Sequence, residues 1–121
     1  MNDGRRWIVT DREGNPIYLT EERWQHIIAL DNHPEIQDFE EFLKITLRRG
    51  DRRQEPLNPR KYRYVYPFDG LPDGSNHVVA IVLFGFNVSA TGQVTANNYI
   101  TTAFFKHIIL TSSTESNPLL L

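Results

Sequence analysis

The spacing of apolar residues changes at Gly50 and divides the chain into a helical part and a strand-rich part. Before Gly50, apolar side chains recur every three or four residues, which is the period of an amphipathic helix. The pattern predicts one helix over residues 20–31, with Thr20 as its N-cap, and a second helix over residues 37–49. We expect Gly50 to end the second helix as a C-terminal glycine.

Beyond this point the pattern has a period of two, which is typical of strands. Residues 61–66 alternate between tyrosines and the residues Lys, Arg and Val, and the polar residues 51–54 are expected to form a preceding strand. Residues 77–88 are mostly β-branched and apolar, so we expect them to form the central strand, and residues 99–105 to form the last one. Residues 7–19 predict a small hairpin around a Gly-Asn-Pro turn.

Helices that precede a run of strands indicate an α+β fold. We expect the N-terminal hairpin and the two helices to pack on one face of a roughly four-stranded antiparallel sheet. Residues 1–111 are expected to form a single domain and residues 112–121 a flexible C-terminal tail. There is no apolar segment typical of a signal peptide, and the apolar run at residues 78–86 is too short to span a bilayer. These features predict a cytoplasmic protein that does not enter membranes.

Positive charge is concentrated in residues 44–63, which hold eight Lys and Arg but only two acidic residues. This segment therefore carries a net charge of +6, whereas the whole chain carries −2, so the remainder carries −8. Such segregation predicts a binding site for a polyanion, either nucleic acid or an acidic protein. The alternative is a solvated helix end followed by an arginine-rich loop. Six of the eight basic residues are Arg, whose planar guanidinium suits phosphate.

The sequence lacks the motifs of metal and cofactor sites. It has no cysteine, its four histidines are not paired at metal-ligand spacing, and glycine-rich phosphate loops are absent. We therefore expect neither a metal nor a cofactor. A site built from His, Arg, Lys, Tyr and Thr can still cleave RNA, because the 2′-hydroxyl is the nucleophile and needs only a base, an acid and cations.

Several residues are candidates for that chemistry. His26 is a candidate acid or base, because histidine titrates near neutral pH; the alternative is a partly buried structural histidine. Lys61 and Arg63 share one face of their strand and are candidate phosphate ligands, although they also fit an exposed strand face. Thr101 and Thr102 must point to opposite sides, so only one of them can line a given site.

The remaining candidates are substrate-binding residues. Tyr62 and Tyr64 could stack on bases, but a row of alternating tyrosines more often packs beneath helices. Arg48 and Arg49 also fit a helix C-terminus, where cations complement the dipole. The complete set of predicted binding residues is Arg48, Arg49, Arg52, Arg53, Tyr62 and Tyr64.

The segments "YLTEERWQHI…HPE", "TLRRGDRR", "KYRYVY", "HVVAIVLFGF" and "YITTAF" follow one another in this order. Together they resemble the nuclease superfamily that contains barnase, EndoU, colicin tRNases and RelE-type toxins, especially its small phage-associated and cyanobacterial branch. The resemblance covers residues 17–105 and implies that His26, the basic strand at Lys61–Tyr64 and Thr102 meet in one cleft. Phe104 stands where related sequences often have Tyr or Trp.

These observations predict a metal-independent, toxin-like endoribonuclease that cleaves RNA by attack of the 2′-hydroxyl. Its catalytic residues would be His26, Lys61, Arg63 and Thr102, and an acidic antitoxin is an expected partner. The alternative is a non-catalytic domain of the same fold that binds RNA or an acidic protein through residues 44–63. A third interpretation is a homodimer that uses the tyrosine row or the apolar C-terminus.

Overall fold

A computed structural model describes residues 4–109, which adopt an α+β fold, as expected. In chain order the elements are β1 (Arg5–Thr10), β2 (Pro16–Thr20), α1 (Glu21–Ile27), a 3₁₀ helix (Pro34–Phe39), α2 (Glu40–Arg49), β3 (Asp51–Glu55), β4 (Asn58–Pro67), a short 3₁₀ turn (Pro72–Gly74), β5 (His77–Leu83), β6 (Phe86–Val88), β7 (Val94–Ala96) and β8 (Tyr99–Lys106). The tail expected at residues 112–121 lies outside the described residues.

The main sheet is strongly curled and has six strands in the order β1-β2-β8-β5-β4-β3, so the expectation of four strands is wrong. The N-terminal hairpin belongs to the sheet instead of packing on it. Strand β2 joins β8 in parallel, with Tyr18 paired to Tyr99, while all other neighbours in this sheet are antiparallel. The backbone N–H of Tyr18 donates to the carbonyl of Asn98, the residue before β8, at 3.0 Å. This bond satisfies one of the backbone groups that β2 turns towards β8.

The strand expected at residues 77–88 is interrupted after Leu83. At this point the N–H of Phe84 still donates to the carbonyl of Arg60 in β4, at 2.7 Å. The N–H of Arg60 donates to Oδ1 of Asn58 at 3.1 Å, and the Phe84 carbonyl accepts from Nε of the Arg60 side chain at 2.8 Å, so the regular backbone ladder ends here. The chain therefore leaves the main sheet, and β6 pairs with β7 in a separate two-stranded hairpin.

Both helices begin close to their expected positions but differ in extent. Thr20 caps α1, since its Oγ1 accepts a hydrogen bond from the N–H of Arg23 at 3.0 Å. The helix ends at Ile27, four residues earlier than expected, because the chain turns and the N–H of His33 donates to the Ile27 carbonyl at 2.9 Å. The first residues assigned to the second helix form the 3₁₀ helix that precedes α2.

One apolar core lies between the helices and the sheet. Trp24 and Ile27 of α1 and Leu43 and Leu47 of α2 belong to the same buried cluster as alternate residues of β5, namely Val78, Ala80 and Val82. We call this side of the sheet the helix face. Because side chains alternate along a strand, Val79 and Ile81 point to the opposite side, which we call the open face.

Arg6 fixes the helices to the edge of the sheet. Its guanidinium forms ion pairs with Glu21 at the start of α1, at 2.8 Å, and with Glu40 at the start of α2. The same group lies 4.9 Å from the ring of Trp24, and Trp7 donates to Glu40 at 2.7 Å. This cluster holds α1, and with it His26, in a defined position beside β1.

Candidate functional site

The strand register places several predicted site residues in one row. Arg53, Arg63, Ile81 and Thr102 are successive partners across β3, β4, β5 and β8. Directly paired residues point to the same side of a sheet, so Arg53, Arg63 and Thr102 share the open face. Adjacent strands lie about 4.8 Å apart, so the backbones of Arg63 and Thr102 are separated by about 10 Å. The long side chain of Arg63 can bridge most of that distance.

A second row adds the other predicted lysine. Lys61, Leu83, Tyr99 and Tyr18 are successive partners across β4, β5, β8 and β2. Lys61 is therefore on the open face, one row from Arg63. Strand β8 contains a bulge between the two rows, where the Oγ1 of Thr101 donates to the Ile81 carbonyl at 3.2 Å. The bulge leaves Thr102, and not Thr101, opposite Ile81.

The open face contains a positively charged depression of about 390 Å³. Four cations, Arg52, Arg53, Arg63 and Lys106, line it together with one acid, Asp51. Val65 and the buried Val79 lie beneath it. The only ion pair of Arg63 within residues 4–109 is with Glu55, at 3.4 Å, while the side chains of Arg53 and Lys106 form none with a described residue. Cations without a carboxylate partner favour the binding of an anion such as phosphate.

His26 lies in a different place from this depression. It is exposed on α1, so it is not a structural histidine of the core. It lines a second pocket of about 400 Å³, together with Tyr18 and Tyr99 of the open face. The structure thus brings Lys61, Arg63 and Thr102 onto one face, whereas His26 reaches the edge of that face from α1. The remaining residues around His26 are Thr20, Glu22, Arg23 and Ile100.

Helix α1 can reach this edge because β2 and β8 pair at a single point. Beyond Tyr18 and Tyr99 no further pairing joins the two strands, and α1 contacts both of them there. The parallel junction of the hairpin, which the sequence did not predict, therefore creates the pocket that holds His26.

The predicted roles of Tyr64 and Tyr62 in base stacking need correction. Tyr64 is 1% exposed, and its hydroxyl donates to Oδ2 of Asp11 at 2.5 Å. Burial and this hydrogen bond raise the pKa of Tyr64 well above its usual value. Tyr62 packs on Phe84, with a centroid separation of 4.7 Å. The alternation that places Lys61 and Arg63 on the open face places these two rings on the helix face, where they pack in or against the core.

The four arginines predicted to bind substrate also lie on different surfaces of the protein. Arg52 is paired with Tyr64 and so belongs to the helix face, where its guanidinium lies 4.5 Å from the Tyr62 ring and 3.4 Å from Glu13. As a residue of the edge strand β3 it also borders the depression beside Arg53. Arg48 and Arg49 are exposed at the end of α2, outside the two rows of the open face. Of the four arginines, the register places only Arg53 beside Arg63.

Two residues of the open face were missed. Lys106 follows Thr102 and Phe104 at the strand period of two, so alternation alone would have found it. Tyr99 begins the same strand, but its pairing with Tyr18 connects residues far apart in sequence and has no local signal. Phe104 itself packs against His33, with a ring separation of 5.6 Å.

Within residues 4–109, no three His, Asp or Glu side chains come together in a way that could hold a metal ion. None of the helices in this part of the chain has the length and apolar character needed to cross a membrane. No family model, curated protein or solved structure matches the chain.

Proposed function

We propose that the protein is a cytoplasmic, metal-independent endoribonuclease that binds single-stranded RNA on the open face of its sheet. The observation that carries the proposal is the row Arg53–Arg63–Ile81–Thr102, which aligns two guanidinium groups and a hydroxyl on one side of the sheet. The depression beside Arg63 has an excess of cations, and an exposed histidine stands at the edge of the same face.

In the proposed reaction, Arg63 and Lys61 hold the scissile phosphate and stabilise the charge that develops on its oxygens. The hydroxyl of Thr102 donates to a non-bridging oxygen and fixes its orientation. His26 acts as the general base and accepts the proton of the 2′-hydroxyl while the O2′–P bond forms. The P–O5′ bond breaks, the leaving oxygen takes a proton from a solvent water, and the proton on His26 returns to the solvent hydroxide that remains. The products are a 2′,3′-cyclic phosphate and a 5′-hydroxyl.

RNA is favoured over DNA because this mechanism takes its nucleophile from the substrate. A sheet face with separated cations suits a single strand, whose phosphates and bases are both accessible. An acidic antitoxin is the proposed protein partner, because its carboxylates could neutralise Arg53 and Lys106 and cover the open face.

The test is cleavage of end-labelled RNA by the purified full-length chain, with and without EDTA. We expect EDTA-resistant cleavage that leaves a 2′,3′-cyclic end. His26→Ala should lower the rate by about 10² to 10⁴, the usual contribution of a positioned acid or base, without changing the circular dichroism spectrum. His107→Ala is the matched control, since this histidine is exposed and bonded to the Gly74 carbonyl at the other end of the sheet.

Two outcomes would contradict the mechanism. Full activity of His26→Ala would mean that another residue transfers the proton. Binding of RNA without cleavage would favour the non-catalytic alternative, in which the open face only holds a polyanion.

A further inference from the structure

We infer that the pocket between α1 and the β2–β8 junction binds one nucleobase of the RNA, stacked on the ring of Tyr99. This inference rests on the proposed function, to which it adds base recognition at the same face. The pocket has a volume of about 400 Å³, within the range of roughly 300–1,000 Å³ that is typical of ligand sites.

The two tyrosines of the pocket form a platform and leave no slot between them. Their ring centroids are 5.9 Å apart and the planes are tilted by 38°. A base inserted between two rings needs about 3.5 Å on each side, or about 7 Å in total. The base must therefore lie against one ring instead of between both.

Contacts to Tyr18 identify Tyr99 as the available ring. The Tyr18 hydroxyl donates to Oδ1 of Asn97 at 2.6 Å, and the guanidinium of Arg5 lies 4.1 Å from the centre of its ring. Asn97 is itself anchored, because its N–H donates to the Gly85 carbonyl at 2.8 Å. Tyr18 is thus held in place with one face occupied by Arg5, and it supports Tyr99 from the neighbouring strand. A platform ordered before binding reduces the entropy lost when the ligand arrives.

Helix α1 supplies polar groups for the edge of the base. Glu22 and His26 are four residues apart and therefore lie on the same side of the helix. Glu22 offers an acceptor and Arg23 offers donors, and neither side chain forms an ion pair with any residue from 4 to 109. An aromatic platform beside unpaired donors and acceptors matches a nucleobase, which has an apolar face and a polar edge.

The proposed base pocket lies beside two of the residues that we propose for catalysis. Tyr99 belongs to the row that ends at Lys61, and His26 lines the same pocket. A base stacked on Tyr99 would place the adjoining ribose beside His26 and direct the phosphate towards Lys61. Base binding in this pocket therefore orients the 2′-hydroxyl for attack.

The experiment measures affinity for two non-cleavable 2′-O-methyl oligonucleotides of equal length and charge, one with bases and one without. Wild-type protein should prefer the oligonucleotide with bases. Tyr99→Ala should weaken binding of that oligonucleotide by about 5-fold to 150-fold, the usual effect of losing one base–aromatic stack, and leave binding of the abasic one unchanged. Tyr99→Leu keeps an apolar side chain in the strand and should lose the preference too, whereas Tyr99→Phe should retain it.

The matched control is Tyr66→Ala, which removes a tyrosine of the helix face that contacts Phe68. It should leave both affinities unchanged. The inference is overturned if wild type binds neither oligonucleotide, if it shows no preference for bases, or if Tyr99→Ala weakens both equally. Because neither oligonucleotide can be cleaved, a Tyr99-dependent preference stands even if ordinary RNA is not cut. Cleavage with no effect of Tyr99 would instead retain the proposed function and remove the base site.

Discussion

Asp11 is the buried carboxylate on which the N-terminal turn depends. Its Oδ1 accepts hydrogen bonds from the N–H groups of Glu13 and Asn15 at 2.9 and 2.8 Å. Its Oδ2 accepts from the Asn15 side chain at 3.0 Å and from the Tyr64 hydroxyl. Burial acts to raise the pKa of Asp11, but the hydrogen bonds from Tyr64, Asn15 and Glu13 outweigh it and lower the pKa below its usual value.

This shift makes Asp11 a source of acid sensitivity. Because its pKa is lower in the folded state, the ionised carboxylate stabilises the protein above the unfolded value of about 3.9, and this stabilisation is lost as the pH falls through the folded pKa. We expect Asp11→Asn to lower the free energy of unfolding by about 1–3 kcal/mol at pH 7, since an amide cannot accept all four bonds. Urea titrations at pH 7 and at about pH 3 measure both effects.

Asp51→Asn is the control for Asp11. The Asp51 side chain is 93% exposed and paired with Arg12, so its replacement should change stability by less than about 0.5 kcal/mol. Two results would show that the hydrogen-bonded carboxylate of Asp11 does not cause the acid sensitivity. One is an equal loss of stability in both variants, and the other is an Asp11→Asn variant whose free energy of unfolding still falls as much as that of wild type between pH 7 and about pH 3.

At the scale of elements, Gly50 shows how a correct boundary can have an unexpected cause. The sequence predicts Gly50 as the C-terminal stop of α2, and a glycine at such an end usually adopts a left-handed conformation. Its φ is instead −67° and its ψ is 154°, which any residue can adopt. A Cβ at this position would lie 2.4 Å from the Thr46 carbonyl oxygen and 2.8 Å from that of Val65. Glycine is therefore required by the close approach of the helix end to β4.

Gly50→Ala should accordingly destabilise the protein, because backbone atoms of α2 and β4 must move apart. Overpacking of this kind costs about 1–3 kcal/mol, which thermal or urea unfolding can measure. Arg49→Ala provides the comparison, since that exposed neighbour should have an effect below about 0.5 kcal/mol. A stability of Gly50→Ala equal to that of wild type would indicate that the turn relaxes without cost.

Local signals predicted the elements better than their arrangement. The cap at Thr20 and the alternation at residues 61–66 are encoded by neighbours in sequence, so the start of α1 and the face of Arg63 could be predicted. The pairing of Tyr18 with Tyr99 joins distant segments, and no local pattern specifies it. His26 and Lys61 could be chosen as candidates from residue type and local pattern. The tyrosine pair between α1 and β4 could not be predicted, because it depends on this long-range pairing.

In the whole molecule, the basic side chains of residues 44–63 lie on several different surfaces. Residues 44–63 form one charged block in sequence, but the fold places Arg53, Lys61 and Arg63 on the open face and Arg52 on the helix face. Lys106 adds a cation to the open face from outside this block. The field at the proposed site therefore depends on the register of β3, β4 and β8 as much as on local composition.

This division leads to a prediction about the salt dependence of RNA binding. Each phosphate neutralised by a cation contributes about 0.7 to the slope of log affinity against log salt for single strands. Combined replacement of Arg53, Arg63 and Lys106 by Ala should reduce that slope by up to about 2, because these side chains line one depression. Replacement of Arg48 and Arg49 by Ala removes two exposed cations from the end of α2 and should leave the slope nearly unchanged. A slope that responds to the second variant and not to the first would place the RNA along the helix end, away from the open face.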